Sequence, residues 1–287
     1  MPLGAHMSIS GGLHRALVRG KEIGCETIQL FTKSARQWAA KELHPQEAEL
    51  FQQTCRETGI CPVIAHEAYL ANLAAPQTDL FRRSLEAFYQ ELLRAEILGI
   101  PYLVVHPGFH LGAGEEAGLA RVVEAIHRVN ERGGGLRTGI VLEVTSGQGS
   151  SIGYAFEHLA YILERTREPG RVGVCLDTAH LFAAGYDFRT EEGYARMMER
   201  FDSLVGLSAL KVIHLNDSKK ELGTRVDRHE HIGRGTIGLS GLAHFLRDPR
   251  LDPLPMILET PKDEEGADER NLAGLRKLRS EEVAVDS

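Results

Sequence analysis

The chain has only four cysteines in 287 residues: Cys25, Cys55, Cys61 and Cys175. No two stand at CxxC spacing, which argues against a thiolate metal site. They read as reduced, mostly buried thiols. No apolar run is long enough to span a membrane. Met1-Pro-Leu-Gly lacks the basic start and apolar stretch of a secretory leader. Both absences predict a cytoplasmic protein with no membrane partner. There is no Gly-rich dinucleotide loop, no P-loop, no evident linker and no low-complexity tract. Lysine is scarce, 8 against 25 arginines, and asparagine occurs four times. That balance is compatible with a thermophilic or GC-rich source. The net charge of −7 argues against a simple nucleic-acid coat and still allows local basic loops.

What is present is an ordinary globular balance, 43% hydrophobic and 25% charged, arranged as alternating short apolar runs and longer amphipathic stretches. Strands are expected at Leu3–Met7, Thr27–Phe31, Pro62–Ala65, Tyr102–Val105, Ile140–Leu142, Val172–Leu176, Leu210–Ile213 and Pro255–Leu258. Helices are expected at Gly12–Ile23, Gln46–Thr58, Thr78–Leu98, Glu115–Glu131, Tyr154–Arg165, Glu191–Val205, Gly241–Leu246 and Asp268–Leu278. Regular βα alternation implies a parallel sheet with right-handed crossovers. Eight units in this length favour an α/β fold of the (β/α)8 TIM-barrel type, a single domain over 1–287. Glu281–Ser287 reads as a frayed acidic tail. The longest irregular stretch, Asn216–Gly238, is charged and punctuated by glycine, and a loop that long inside a barrel is usually functional.

Six consecutive strands end on residues of metal-ligand type: His66, His106, Glu143, Asp177, His214 and Glu259. Taken alone, Asp177 reads as a helix cap and any one histidine as a packed core residue. Six in phase at the mouth, where barrel active sites sit, point to a common purpose. Carboxylates and imidazoles converging there would carry large desolvation costs unless metals neutralised them. His180, in the loop behind the sixth strand, and Asp227 and His229, in the long loop, add three more candidates. Nine ligands exceed the need of one zinc site and suit two or three ions. Nitrogen and oxygen donors without sulfur fit Zn²⁺ or Mn²⁺.

Clustered metals suggest hydrolysis at phosphorus. The barrel and its ligands alone do not separate phosphodiester hydrolysis from sugar isomerisation or epimerisation. The rim tilts the choice towards hydrolysis. Lys33, Arg36 and Trp38 follow the second strand, and Tyr69 and Asn72 the third. The loop after the seventh carries Lys219, Lys220, Arg225, Arg228 and Arg234. Basic side chains interleaved with aromatics form a phosphate-contacting edge.

These residues resemble the endonuclease IV family, the metal-dependent apurinic/apyrimidinic endonucleases of base excision repair. The resemblance runs from Gly4-Ala-His6-Met-Ser8 to Ile257-Leu-Glu259-Thr260. Its most specific segments are Phe31-Thr-Lys-Ser-Ala-Arg-Gln-Trp38, the His66/Tyr69/Asn72-Leu73 spacing, Gly147-Gln-Gly149, Leu176-Asp-Thr-Ala-His180, His214-Leu-Asn-Asp-Ser218 and Val226-Asp-Arg-His229. It implies three zinc ions, with Mn²⁺ at some sites. His66, His106 and Glu143 would hold the first. Glu143 would bridge to the second, held also by Asp177, His214 and Glu259. His180, Asp227 and His229 would hold the third. Glu143, positioning a metal-bridging hydroxide, and Glu259 would be the catalytic carboxylates. The hydroxide would attack the phosphate 5′ to an abasic site in duplex DNA, leaving a 3′-hydroxyl and a 5′-deoxyribose phosphate. Arg36 and Tyr69 match residues that enter the minor groove, with Lys33, Trp38, Asn72, Lys219 and Arg228 as further DNA contacts. A monomer with no obligate protein partner is expected. Val144, Ala179, Glu230 and Arg234 depart from the family's usual residues, and none of these changes removes a ligand.

Overall fold

A computed structural model describes residues 1–166 and 170–280. Eight parallel strands close a barrel: β1 (Leu3–His6), β2 (Thr27–Phe31), β3 (Val63–His66), β4 (Tyr102–Val105), β5 (Gly139–Glu143), β6 (Val172–Asp177), β7 (Leu210–His214) and β10 (Met256–Leu258). Each pairs with its neighbour in chain order, and β10 closes the ring on β1, with Ile257 opposite Gly4. Two-residue strands β8 (Asp217–Ser218) and β9 (His229–Glu230) form an antiparallel hairpin in the loop after β7. The helices are α1 (Leu13–Glu22), α2 (Pro45–Thr58), α3 (Thr78–Leu98), α4 (Glu115–Arg132), α5 (Phe156–Arg165), α6 (Thr178–Ala184), α7 (Glu191–Leu204), α8 (Gly238–Arg247) and α9 (Ala267–Ser280). This is a single TIM-barrel domain.

Every expected strand and helix is present, with ends shifted by a few residues. Two features differ. The loop expected around His180 is the short helix α6, which starts directly on β6 and ends at Gly185 in a left-handed conformation. The long loop is pinned by its hairpin rather than open. The expected acidic tail lies outside the described residues. Of the cysteines, all free, Cys25 and Cys175 are buried, Cys55 is partly so and Cys61 is exposed, so "mostly buried" holds for only half of them. No described helix is long and apolar enough to cross a membrane.

Two apolar layers hold the barrel. Outside it, Phe51 of α2, Phe88 of α3, Phe156 of α5, Phe201 of α7 and Phe245 of α8 are fully buried against the strands. Each such ring contributes on the order of 2–3 kcal/mol of burial. Inside, Ile64, Val104, Val141, Cys175, Val212 and Ile257 form a separate plug. Side chains alternate across a strand with period two, so the residue two positions onward shares the inward face. Adding two to each plug residue gives His66, His106, Glu143, Asp177, His214 and Glu259. Strand periodicity therefore turns an apolar floor into a ring of imidazoles and carboxylates at the C-terminal mouth.

Candidate metal centre

Glu143 stands at the middle of this ring and is fully buried. Its Oε2 lies 3.0 Å from Nε2 of both His66 and His106. Its Oε1 lies 3.1 Å from Nδ1 of His214 and 3.2 Å from Nδ1 of His180. Three groups converge closely enough to hold an ion, their donor atoms within 4.8 Å of one another: His66/His106/Glu143, Glu143/Asp177/His214/Glu259, and Asp177/His180/His229. Asp227 completes the last group, with Oδ2 3.1 Å from His180 Nε2 and Oδ1 3.3 Å from His229 Nε2. All nine sequence candidates thus meet in one cavity. Asp177 does two jobs. Its Oδ1 caps α6 through the His180 amide at 2.8 Å, while Oδ2 lies 3.7 Å from His229 Nε2.

Hydrogen-bond polarity decides what this cluster needs. His66 Nδ1 donates to the Glu67 carbonyl at 2.7 Å, His180 Nδ1 to the Val144 carbonyl at 2.9 Å, and His229 Nδ1 to the Glu259 carbonyl at 3.0 Å. A carbonyl only accepts, so in the neutral ring each Nε2 carries a bare lone pair. Each of those lone pairs faces a carboxylate oxygen. His214 is fixed from its other side, Nε2 donating to Gln29 Oε1 at 2.8 Å, which leaves Nδ1 facing Glu143 and Glu259. His229 Nε2 is also buried without a hydrogen-bond partner. Lone pairs aimed at carboxylates repel unless a proton or a cation lies between them. Imidazoles whose second nitrogen is held by a carbonyl or amide are the usual support of metal ligands. The donor set fits divalent metals.

Without a cation the balance is made by protons. Burial opposes charge on each imidazole, but the Asp177 and Asp227 carboxylates push His229 up to about 9. His180 is driven well above the ordinary histidine range against burial, by Asp177 and Asp227, and His66 is raised by Glu143. Burial likewise favours neutral carboxylic acids here, yet His214 and His106 hold Glu143 well below the usual carboxylate range, and His180 does the same to Asp227. Metal binding would displace those protons.

Sequence reading passed over three supporting side chains. Gln29 donates to Glu259 Oε1 at 2.6 Å and lies 3.1 Å from His6 Nδ1, closing the ring on the β1–β2 side. Asn216 donates to Asp177 Oδ2 at 2.7 Å and accepts from the Glu259 amide at 2.8 Å. Gln29 and His6 share the inward phase of their strands with the candidate ligands, which was the signal available. Asp217 anchors the long loop, its carboxylate accepting from the amides of Ser218, Gly233, Gly235, Ile237 and Gly238 at 2.8–3.3 Å. A Cβ on Gly235 would come within 2.4 Å of that carboxylate, so glycine is required there. Replacing Asp217 with alanine would strand five amides, those of Ser218 and Ile237 buried, and is expected to cost about 3–5 kcal/mol in urea unfolding. A loss under about 1 kcal/mol would show that the loop holds without it.

The rim residues divide. Arg36, Tyr69, Lys219 and Arg228 are exposed at the mouth, and Tyr69 is 64% accessible. Lys33 is not free to meet DNA. It is buried, 3.3 Å from Glu91 and donating to the Gln37 carbonyl at 2.7 Å, because the loop folds its ammonium inward. Asn72 is also buried. It clamps Phe109 by accepting from its amide at 2.8 Å and donating to its carbonyl at 2.9 Å. Trp38 is half-buried with the Arg83 guanidinium 4.5 Å above its ring. Val144 bonds His180 through its backbone carbonyl, so that hydrogen bond does not depend on which side chain stands there.

Fold and site together place the chain among the xylose isomerase-like TIM barrels, and the model of that family matches residues 17–280. A probable endonuclease 4 of Chloroflexus aurantiacus is 53% identical over 276 residues, 96% of this chain and 97% of its own. One of Geobacter sulfurreducens is 50% identical over 277 residues, 96% of this chain and 94% of its own. The crystal structure of endonuclease IV from Thermus thermophilus superposes with a TM-score of 0.87 at 35% identity, covering 97% of this chain and 98% of that one. The chain belongs to the endonuclease IV family of enzymes.

Proposed function

We propose that this endonuclease hydrolyses the phosphodiester bond 5′ to an abasic site in duplex DNA, leaving a 3′-hydroxyl and a 5′-deoxyribose phosphate. It acts as a monomer with up to three divalent ions, zinc foremost and Mn²⁺ at some sites. One observation carries the reading: His66, His180, His214 and His229 turn lone pairs towards carboxylates, the fully buried Glu143 and the half-buried Asp227 among them, in a single open barrel mouth. His66, His106 and Glu143 would hold one ion. Glu143, Asp177, His214 and Glu259 would hold another. His180, Asp227 and His229 would hold the third, with Asp177 alongside. When bound, such ions lower the pKa of water and neutralise charge on a phosphate in in-line attack.

The chain's own residues do the rest. Backbone carbonyls and Gln29 fix the imidazole tautomers, so no reorganisation is needed when substrate arrives. The Glu143 and Glu259 carboxylates stay ionised against the cost of burial because of the surrounding histidines, His214 foremost. Exposed Arg36, Lys219 and Arg228 supply positive charge for the DNA backbone. Tyr69 packs edge-on to Phe31, ring centroids 5.5 Å apart, while remaining 64% exposed, as suits a side chain that enters a duplex. A nucleotide lacking its base is the cheapest to extrude.

The test is incision of a duplex carrying one abasic analogue, with product ends mapped. Cleavage immediately 5′ to the lesion with a 3′-hydroxyl end is expected, and folded, metal-loaded protein that leaves the duplex intact would refute the reading. His229→Ala should lower bound metal and reduce incision by about a hundredfold or more. Unchanged metal content and rate would remove His229 from the centre.

A further inference from the structure

The two loops that carry Arg36 and Tyr69 are both fastened to one helix, α3, which supplies none of the nine candidate ligands. Arg94 donates to the Thr32 carbonyl through Nε and Nη2 at 3.0 and 2.6 Å, and to the Lys41 carbonyl through Nη1 at 2.7 Å. A single guanidinium thus staples both ends of the loop that presents Arg36. Three residues back on α3, Glu91 is fully buried and places Oε1 3.3 Å from Lys33 Nζ in that same loop. Lys33 passes the restraint on by donating to the Gln37 carbonyl, one residue beyond Arg36.

The same carboxylate oxygen of Glu91 also accepts from the Ala68 amide at 3.1 Å, one residue before Tyr69. Two turns earlier on the helix, Ser84 Oγ accepts from the Asn72 amide at 2.9 Å, closing the Tyr69 loop from its far side. Arg83, also on α3, covers Trp38. Ser84 and Glu91 are seven residues apart, so they share the face that meets the barrel mouth. A buried Glu–Lys pair is poor evidence of stability, because its desolvation cost offsets most of its attraction. Its attested use is to specify one arrangement over others, and here it joins two loops to one another.

We propose that Glu91 and Arg94 are positioning residues: from α3 they hold the Arg36 and Tyr69 loops in a fixed mutual arrangement, so that the abasic duplex meets a rim already ordered. This rests on the nuclease reading above for its substrate. Loops ordered in advance lower the entropy cost of binding, so their loosening weakens substrate binding and leaves the chemical step alone.

The experiment compares Glu91→Gln, Arg94→Met and Arg94→Lys with the parent enzyme. Glutamine keeps an acceptor for the Ala68 amide and removes the charge that holds Lys33. Trp38 is the chain's single tryptophan and sits at the end of the restrained loop, so acrylamide quenching of its fluorescence reads loop order without DNA. Glu91→Gln and Arg94→Met are expected to raise quenching. They should increase KM for an abasic duplex about tenfold while kcat stays within about twofold and metal content is unchanged. Arg94→Lys, which can reach one carbonyl in place of two, should recover part of the loss. Folded variants with unchanged quenching and KM would overturn the proposal, as would a fall in kcat at constant KM. If the parent enzyme cuts no abasic duplex, the nuclease reading fails while the quenching comparison still decides whether α3 orders the loops.

Discussion

Glu143→Gln is expected to lower incision by at least about a thousandfold, the scale reached when a group stabilising transition-state charge is lost from a dry site. Four imidazole nitrogens lie within 3.2 Å of the two carboxylate oxygens, and two of the three convergent groups include this side chain. Glutamine has nearly the same shape, so the barrel should fold. It removes the negative charge and turns an N–H donor towards nitrogens that cannot all accept it. Bound metal, measured by elemental analysis of the purified variant, should fall together with the rate. A variant retaining both its full metal content and its rate would place the reaction elsewhere.

Metal removal is expected to abolish incision and to change how stability depends on pH. In the stripped protein His229 has a folded pKa of about 9, above its unfolded value. Its contribution to stability is fully present below about pH 6.5 and is lost as pH rises through about 9. The raised His180, His214 and His66 work in the same direction. Glu143, Asp227 and Glu259 are depressed, so their contribution is present above about pH 4 and is lost as pH falls. The stripped protein should therefore be most stable at mildly acidic pH and weaken steadily towards about pH 9. The loaded protein should not weaken over that span, because metal replaces the protons and binds more tightly as they leave. Calorimetry of both forms across the range checks this. Equal, flat stability curves from about pH 6.5 to 9.5 would mean that the imidazoles are not paired with these carboxylates.

Much of this was legible in the chain because it rests on local periodicity. Short apolar strands ended on His or an acid, and period-two alternation carried those ends inward, so the barrel, its mouth and six of the nine converging side chains could be read residue by residue, while His180, Asp227 and His229 stood out only as ligand types in the connections. The long helices announced themselves by apolar spacing. What alternation does not encode is the distant partner of a polar side chain. Lys33 reads as a rim cation beside Arg36, and only packing reveals that Glu91, on a helix beyond the next strand, draws it inside. Asn72 reads as a DNA contact and instead fastens Phe109. Asp217 looks like one more polar loop residue, yet four of the five amides it gathers lie 16 to 21 residues further along the chain.

The sequence by itself determined the strand count, the phase of each strand and hence which side chains point into the barrel, because these follow from spacing within a few residues. Only the tertiary structure decided which nitrogen of His66, His180, His214 and His229 is free. For His180, His229 and His214 that depends on where the carbonyls of Val144 and Glu259 and the side-chain amide of Gln29 come to lie once the ring has closed, whereas His66 is held by the carbonyl of its own neighbour, Glu67. A hydrogen-bond acceptor brought in from another strand has no signature in local sequence, and it is this that leaves the cluster fit to hold cations.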